Sequence, residues 1–261
     1  MQNKVIWITG ASSGIGAAIA KKCNALGATV ILSARREDEL NKTLNELTHP
    51  ENAFVLPLDL QQIDTFHNKA EQVIEKYHKI DFLINNGGIS QRGNVRDTSL
   101  EVDRKIMEIN YFGTVALTKT VLPLMLKQKS GHIVAVSSIT GKFGFYLRSS
   151  YAASKHAVKG FFESLRLEEE KHGIKVTLVY PGQINTPISK SALDANGNPS
   201  GKMDQNQSQG MDVDLCANKI VKGLQKNKKD IFVGGKEMMI LKIQRFFPNF
   251  FYKVLKKQSP T

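Results

Sequence analysis

The segment Val5-Ile6-Trp7-Ile8-Thr9-Gly10-Ala11-Ser12-Ser13-Gly14-Ile15-Gly16 constrains this chain more than any other. A short apolar run ends in three closely spaced glycines. A helical stretch, Ala17 to Leu26, follows and stops at Gly27, where a helix C-cap wants glycine. The run Thr29-Val30-Ile31-Leu32-Ser33 then reads as a second strand. Strand, glycine turn, helix and strand open a parallel βαβ unit, the context a dinucleotide site needs. Glycines let the backbone approach a pyrophosphate, and the helix N-terminus offers free N–H groups to its charge. Gly10, Ser12, Ser13, Gly14, Ile15 and Gly16 are therefore candidate cofactor contacts. A tight turn with no ligand is the competing reading, and the flanking elements weigh against it.

The second strand leads into Ala34-Arg35-Arg36. In a dinucleotide fold this strand end meets the adenosine ribose, where a carboxylate favours NAD and arginine accommodates the 2′-phosphate of NADP. Arg35 is expected as the phosphate contact and Arg36 as a lesser one, so NADP(H) is the expected cofactor. Arg36 paired with Glu37 or Glu39 on a solvated helix is the alternative. Further along, helices are expected at about 37–48, 62–78, 99–129, 151–170 and 212–226. The third of these is expected to break near Gly113 and Pro123. Strands are expected at 54–58, 82–84, 132–137, 175–180 and 230–233. The alternation predicts an α/β fold: one Rossmann-type, doubly wound parallel sheet with helices on both faces, spanning residues 1–235.

Candidate ligand contacts fall at strand ends. Asp59, followed by Leu60, can accept from an adenine amino group or serve as a helix N-cap. Asn85-Asn86-Gly87-Gly88 leaves room for a flat ligand over its glycines, and the asparagines can tie neighbouring strands together. Asn110 lies in an apolar helical stretch and needs a partner or water if buried. Ser138 ends the fifth strand. Tyr151 and Lys155 stand one helical turn apart on one face. A cation there favours the phenolate and lowers the tyrosine pKa from about 10. Alone, Tyr-x-x-x-Lys is a weak signal better read as an ordinary surface pair, and the rest of the chain reverses that reading.

The two cysteines, Cys23 and Cys216, give neither a disulfide framework nor metal spacing. No apolar run approaches the roughly 18 residues of a membrane span, and no secretory segment precedes the first strand. A cytoplasmic protein is expected. The net charge of +12 is uneven: residues 219–257 hold eleven Lys/Arg and two acids, leaving +3 for residues 1–218. The basic residues of the extension 236–261 alternate with Phe and Met, which argues against nucleic acid. Pro248 should split this tail into two short helices. It is expected either to touch a membrane surface through 236–257 or line the substrate entrance, or to pack on the body or a partner subunit. Residues 187–212 are polar and Gly-rich, and follow a strand end where ligands bind, so they are read as a substrate lid rather than core.

Taken in order, Thr9-Gly10-x-x-x-Gly14-x-Gly16, Asp59, Asn85-Asn86-Gly87-Gly88, Asn110, Ser138, Tyr151-x-x-x-Lys155 and Pro181-Gly182 with Thr186 resemble the short-chain dehydrogenase/reductase family over residues 4–235. Leu32-Ser33-Ala34-Arg35-Arg36 and Gly201-Lys202-Met203-Asp204 are similar to its member 7 and steroid-type reductase branch. Gly87 departs from the alanine more usual there, a loss of one methyl expected to be harmless. The resemblance implies that Tyr151 is general acid in reduction and base in oxidation, and that Ser138 holds the substrate oxygen. It implies that Lys155 binds the nicotinamide ribose and lowers the Tyr151 pKa, and that Asn110 holds a relay water. It places Thr186 and the backbone near Ile184 on the carboxamide, beside Pro181 and Gly182. The expected function is NADP(H)-dependent interconversion of a carbonyl and a secondary alcohol, on a small-molecule substrate expected from Phe143, Phe145, Tyr146 and the Phe-rich tail to be a bulky apolar ketone, by a homodimer or homotetramer. A cofactor-binding sensor or scaffold that docks through its basic tail is the alternative.

Overall fold

In the computed structural model, which describes residues 1–258, β1 (Val5–Thr9) is buried along its whole length. Successive strand side chains point to opposite faces. Val5 and Trp7 join one apolar cluster, Ile6 and Ile8 the other. Both faces must therefore be covered, which is why the run reads as continuously apolar. β2 (Thr29–Ser33), β3 (Ala53–Val55), β4 (Phe82–Asn85), β5 (Gly131–Val136), β6 (Ile174–Pro181) and β7 (Asp230–Val233) complete the sheet. The order is β3-β2-β1-β4-β5-β6-β7, with every neighbouring pair parallel. The order reverses between β1 and β4, opening a crevice at the carboxyl ends of the strands.

The helices are α1 (Gly14–Ala25), α2 (Glu37–Asn45), α3 (Phe66–Tyr77), α4 (Leu100–Met107), α5 (Gly113–Lys127), α6 (Ser149–Glu169), α7 (Gln205–Ser208), α8 (Val213–Gln225), α9 (Ile240–Phe246) and α10 (Pro248–Leu255). Ile19, Leu40 and Ile220 bring α1, α2 and α8 to one face of the sheet. Phe66, Leu117 and Phe162 bring α3, α5 and α6 to the other. Cys23 and Cys216 are free thiols in the first of these layers. Burial pushes both up to about 12, well away from thiolate chemistry.

Four expectations need correcting. The third strand is shorter than 54–58: ladder pairing stops at Val55, and Pro57 has no N–H to donate, although Leu56 and Leu58 still bond to Leu32 and Ala34. Of the two breaks expected in 99–129, the one near Gly113 is met by a π-turn over Glu108–Phe112 that ends where α5 begins, but the one at Pro123 is not, since Pro123 sits inside an unbroken α5. That same stretch, Leu100–Lys127, is apolar and long enough to span a bilayer by length and composition, contrary to the sequence reading. It buries Ile106 in one apolar cluster and Ile109, Leu117, Val121 and Met125 in another, as a helix of the protein core does. Finally, residues 187–212 are not wholly outside the core: Ser189, Ala192, Leu193 and Asp204 are buried, and Leu193 bridges to Gln91 and Pro199.

Candidate active site

The nucleotide side is made of backbone. Gly10 and Gly14 have φ of +66° and +54°, a conformation that favours glycine. A Cβ at Gly16 would lie 2.2 Å from the Gly10 carbonyl oxygen and 2.5 Å from Asn86 Nδ2. Asn86 Nδ2 donates to the Thr9 and Gly10 carbonyls, while Thr9 Oγ1 accepts from the Asn86 and Gly87 N–H groups. These bonds lock the end of β4 to the glycine turn. Asn85 instead donates to Thr118 on α5. Ser13 precedes α1 in an extended conformation and makes no side-chain cap bond, so the first-turn N–H groups face the crevice without a side-chain acceptor. These bare positions and uncapped donors fit a pyrophosphate.

Arg35 and Arg36 are exposed just past β2, and among the described residues neither forms an ion pair. Glu39 pairs with Lys42 instead. Asp59 accepts from the Gln61 N–H and caps its own turn, which leaves carboxylate capacity free. The Leu60 side chain reaches to 2.9 Å from the point a Gly87 Cβ would take. The missing methyl is thus a space that Leu60 fills. Thr186 closes over Gly14, with Cγ2 3.2 Å from the position of its absent Cβ. Ile184 and Pro181 are buried beside it at the end of β6.

The catalytic candidates converge at the ends of β5 and α6. Ser138 lies beside the Tyr151 phenol, close enough to favour its ionised form, and its Oγ accepts from Thr140 N and Thr140 Oγ1, at 3.2 and 3.0 Å. Lys155 Nζ donates to the Val136 carbonyl at 2.9 Å and lies 5.8 Å from the Tyr151 ring centroid. Burial brings Lys155 down to about 8. Ser137 Oγ donates to the Lys155 carbonyl and so fixes α6 to the strand end. Asn110 sits in the π-turn. Its amide donates to Ile89 O and Ser154 Oγ, and its Oδ1 accepts from Ile89 N. Both N–H groups are used, so only one Oδ1 lone pair remains for a water.

The expectation that Lys155 lowers the Tyr151 pKa is not met here. Burial raises it above the ordinary phenol value; Ser138, Arg92 and Arg148 pull the other way. These arginines were missed by sequence reasoning. Arg92 and Arg148 both grip Asp204, the first through Nε at 2.9 Å to Oδ2 and the second through Nη2 at 2.8 Å. All three side chains are nearly buried. Burial and the neighbouring Arg92 bring Arg148 down to about 10. Gln91 Oε1 accepts from Ser150 N at the start of α6. The ion-paired triad thus joins 187–212 to the segment before the catalytic helix. No motif spacing marks it, because its members come from three remote segments.

A cavity of about 290 Å³ adjoins this centre, lined by Ser138, Tyr151, Arg92, Phe143, Ile188 and Ile243 among others. The tail closes one side of it. Phe251 stacks edge-on against Phe143 at 5.3 Å, and Leu255 packs in the same cluster. Glu237 accepts from the Gln183 and Gly235 N–H groups and anchors the tail to the end of β6 beside Gly182. A separate hollow between α8 and β7 is lined by Lys219, Lys222, Lys226 and Lys228 and holds none of these residues.

The geometry agrees with what comparison with known proteins finds. The family model for short chain dehydrogenases matches residues 4–197. A dehydrogenase/reductase SDR family protein 7-like of Anopheles gambiae is 41% identical, over 99% of this chain and 84% of that protein. Dehydrogenase/reductase SDR family member 7B of Mus musculus is 40% identical, over 99% and 82%. Among solved structures, a short-chain dehydrogenase from Streptomyces avermitilis superposes with a TM-score of 0.84 at 31% identity, covering 97% of each chain. A metagenomic short-chain oxidoreductase in complex with NADP superposes with a TM-score of 0.66 at 32% identity, over 69% of this chain and 82% of that one. The chain belongs to the short-chain dehydrogenase/reductase family of nicotinamide-dependent oxidoreductases, in the branch of the member 7 and 7B proteins.

Proposed function

We propose that the protein is an NADP(H)-dependent oxidoreductase interconverting a carbonyl and a secondary alcohol on an apolar substrate. The observation that carries this is that Ser138 and Tyr151 stand together at the wall of the cavity, with Lys155 one turn from Tyr151 on the same helix. A bound nicotinamide supplies or accepts the hydride. In reduction Tyr151 gives its proton to the carbonyl oxygen, which Ser138 holds by hydrogen bonding; in oxidation Tyr151 takes the proton back. Ser138, Arg92 and Arg148 oppose the upward push of burial on Tyr151 and so favour release of its proton. Lys155, brought to about 8, is still largely protonated there and donates to the ribose hydroxyls. Asn110 offers a relay water one acceptor. Gly10, Ser12, Ser13, Gly14, Ile15 and Gly16 cradle the phosphates, and Arg35, with Arg36 beside it, takes the 2′-phosphate. Asp59, Leu60, Asn86, Gly87 and Gly88 flank the adenosine side, and Pro181, Gly182, Ile184 and Thr186 the carboxamide.

Phe143, Phe145, Ile188 and Ile243 around the cavity support an apolar substrate. Residues 187–212 act as its lid, held by the Asp204 ion pairs. Self-association through α4 to α6, which expose Leu100, Phe112 and Leu167, belongs to the same reading and is measurable by light scattering. Family membership and the assembled hydroxyl pair favour an enzyme over a cofactor sensor. Turnover of a ketone panel with NADPH by the Tyr151→Phe variant tests the reading. A fall of about 10²–10⁴-fold with NADPH binding intact is expected; unchanged turnover would end the assignment.

A further inference from the structure

The last two helices have two faces, and only one is used by the fold. Phe251 and Leu255, one turn apart, are buried against Phe143. Phe246, Phe247, Phe250 and Tyr252 are 55–67% exposed, and so is Met239 at 65%. Exposed large apolar side chains scattered singly need no explanation, but a contiguous group marks an interaction surface. The same segment carries Lys236, Lys242, Arg245, Lys253, Lys256 and Lys257, with Glu237 as its single acid. That acid is already engaged with the Gln183 and Gly235 N–H groups. Lys253 stands three residues after Phe250, hence on its side of α10, and Lys256 and Lys257 follow in the turn just past its end. None of the six cations forms an ion pair among the described residues.

We infer that this aromatic and basic face of α9–α10 seats the protein on the surface of an anionic lipid bilayer. Aromatic rings enter the boundary between headgroups and acyl chains, while lysine stems lie along it with their ammonium groups at the phosphates. Charge decides between this occupant and a second copy of the chain. A two-fold self-contact would bring the same cationic patch against itself, which is costly; an anionic surface neutralises it. The inner side of the same helices contributes Ile243, Val254 and Leu255 to the catalytic cavity, and Met239 lines that cavity while remaining exposed. The seat therefore places the cavity's edge at the lipid surface, where an apolar substrate is concentrated. The membrane contact itself does not rest on the oxidoreductase reading.

Vesicle co-sedimentation of the full chain tests it. The vesicles are phosphatidylcholine, alone or mixed with phosphatidylserine. Binding to the mixed vesicles is expected, weakening as salt rises. Phe246→Ser/Phe247→Ser/Phe250→Ser should bind at least roughly tenfold more weakly, with an unchanged melting temperature because these side chains are exposed. Lys253→Glu/Lys257→Glu should lose the preference for phosphatidylserine. Absence of binding to the mixed vesicles at low salt would overturn the inference. So would a triple variant that still binds them, or one that changes only the oligomeric state by ultracentrifugation, which would give the face to a second copy.

Discussion

The two sides of the crevice are built on different principles. On the nucleotide side, the shape is set by main chain: two left-handed glycines, a helix start without a side-chain cap, and Asn86 tying β4 to the turn. On the substrate side, the shape is set by side chains from distant segments. Arg92, Arg148 and Asp204 come from three loops, and Phe251 and Leu255 from the tail. Backbone geometry close in sequence leaves motifs that can be read; a pocket assembled from remote side chains does not. The difference also predicts that the two sides fail in different ways.

The largest effect should come from Asp204→Asn. It leaves two nearly buried guanidiniums without their carboxylate, and breaking a buried pair costs about 3–5 kcal/mol. A chain of this size should melt roughly 10 °C lower. The affinity for NADPH of the still-folded protein, measured below that transition, should be unchanged. If cofactor affinity falls in proportion, the two sides are coupled and the contrast fails.

Next is an acid effect common to both sides. His132 is buried, donates through Nε2 to Thr177 Oγ1 and is brought by burial to about 4. The unfolded chain takes up this proton first as pH falls below about 6.5. Stability present above 6.5 is thus lost progressively down to about 4, by at most roughly 3 kcal/mol. Urea midpoints between pH 7 and 4.5 should fall accordingly, and His132→Gln should flatten that part of the decline. A midpoint that rises on acidification would contradict the buried neutral imidazole.

Gly16→Ala works in the opposite sense to Asp204→Asn. Its Cβ would press on backbone, the Gly10 carbonyl. NADPH affinity should drop roughly 10- to 100-fold, the equivalent of about 1–3 kcal/mol of overpacking, while the Arg92–Asp204–Arg148 contacts persist. A variant that binds NADPH normally would show that the turn does not hold the phosphates. Gly87→Ala should be the mildest change. Its methyl meets only the flexible end of Leu60 and the Thr9 side chain, so stability and cofactor affinity should shift by less than about 1 kcal/mol.

How much of this was legible follows from where each feature lies. The βαβ opening, the strand alternation and the positions of Ser138, Tyr151 and Lys155 could be read because local apolar runs and one-turn spacings encode them. The break near Gly113 was legible, but its form, a π-turn over Glu108–Phe112, was not, because a π-turn has no composition of its own. The polar look of 187–212 hid Asp204, whose burial depends on arginines about 112 and 56 residues away in sequence. The Tyr151 pKa was misjudged because the spacing to Lys155 was visible in the sequence, but the burial that raises it was not.

The most direct test of the account is a fluorescence titration of the purified protein with NADPH and, in parallel, with NADH. The exposed Arg35 at the end of β2, which forms no ion pair among the described residues, predicts clear preference for NADPH, largely lost in Arg35→Ala while NADH binding is unchanged. Equal affinity for the two nucleotides, or binding of neither by folded protein, would contradict it.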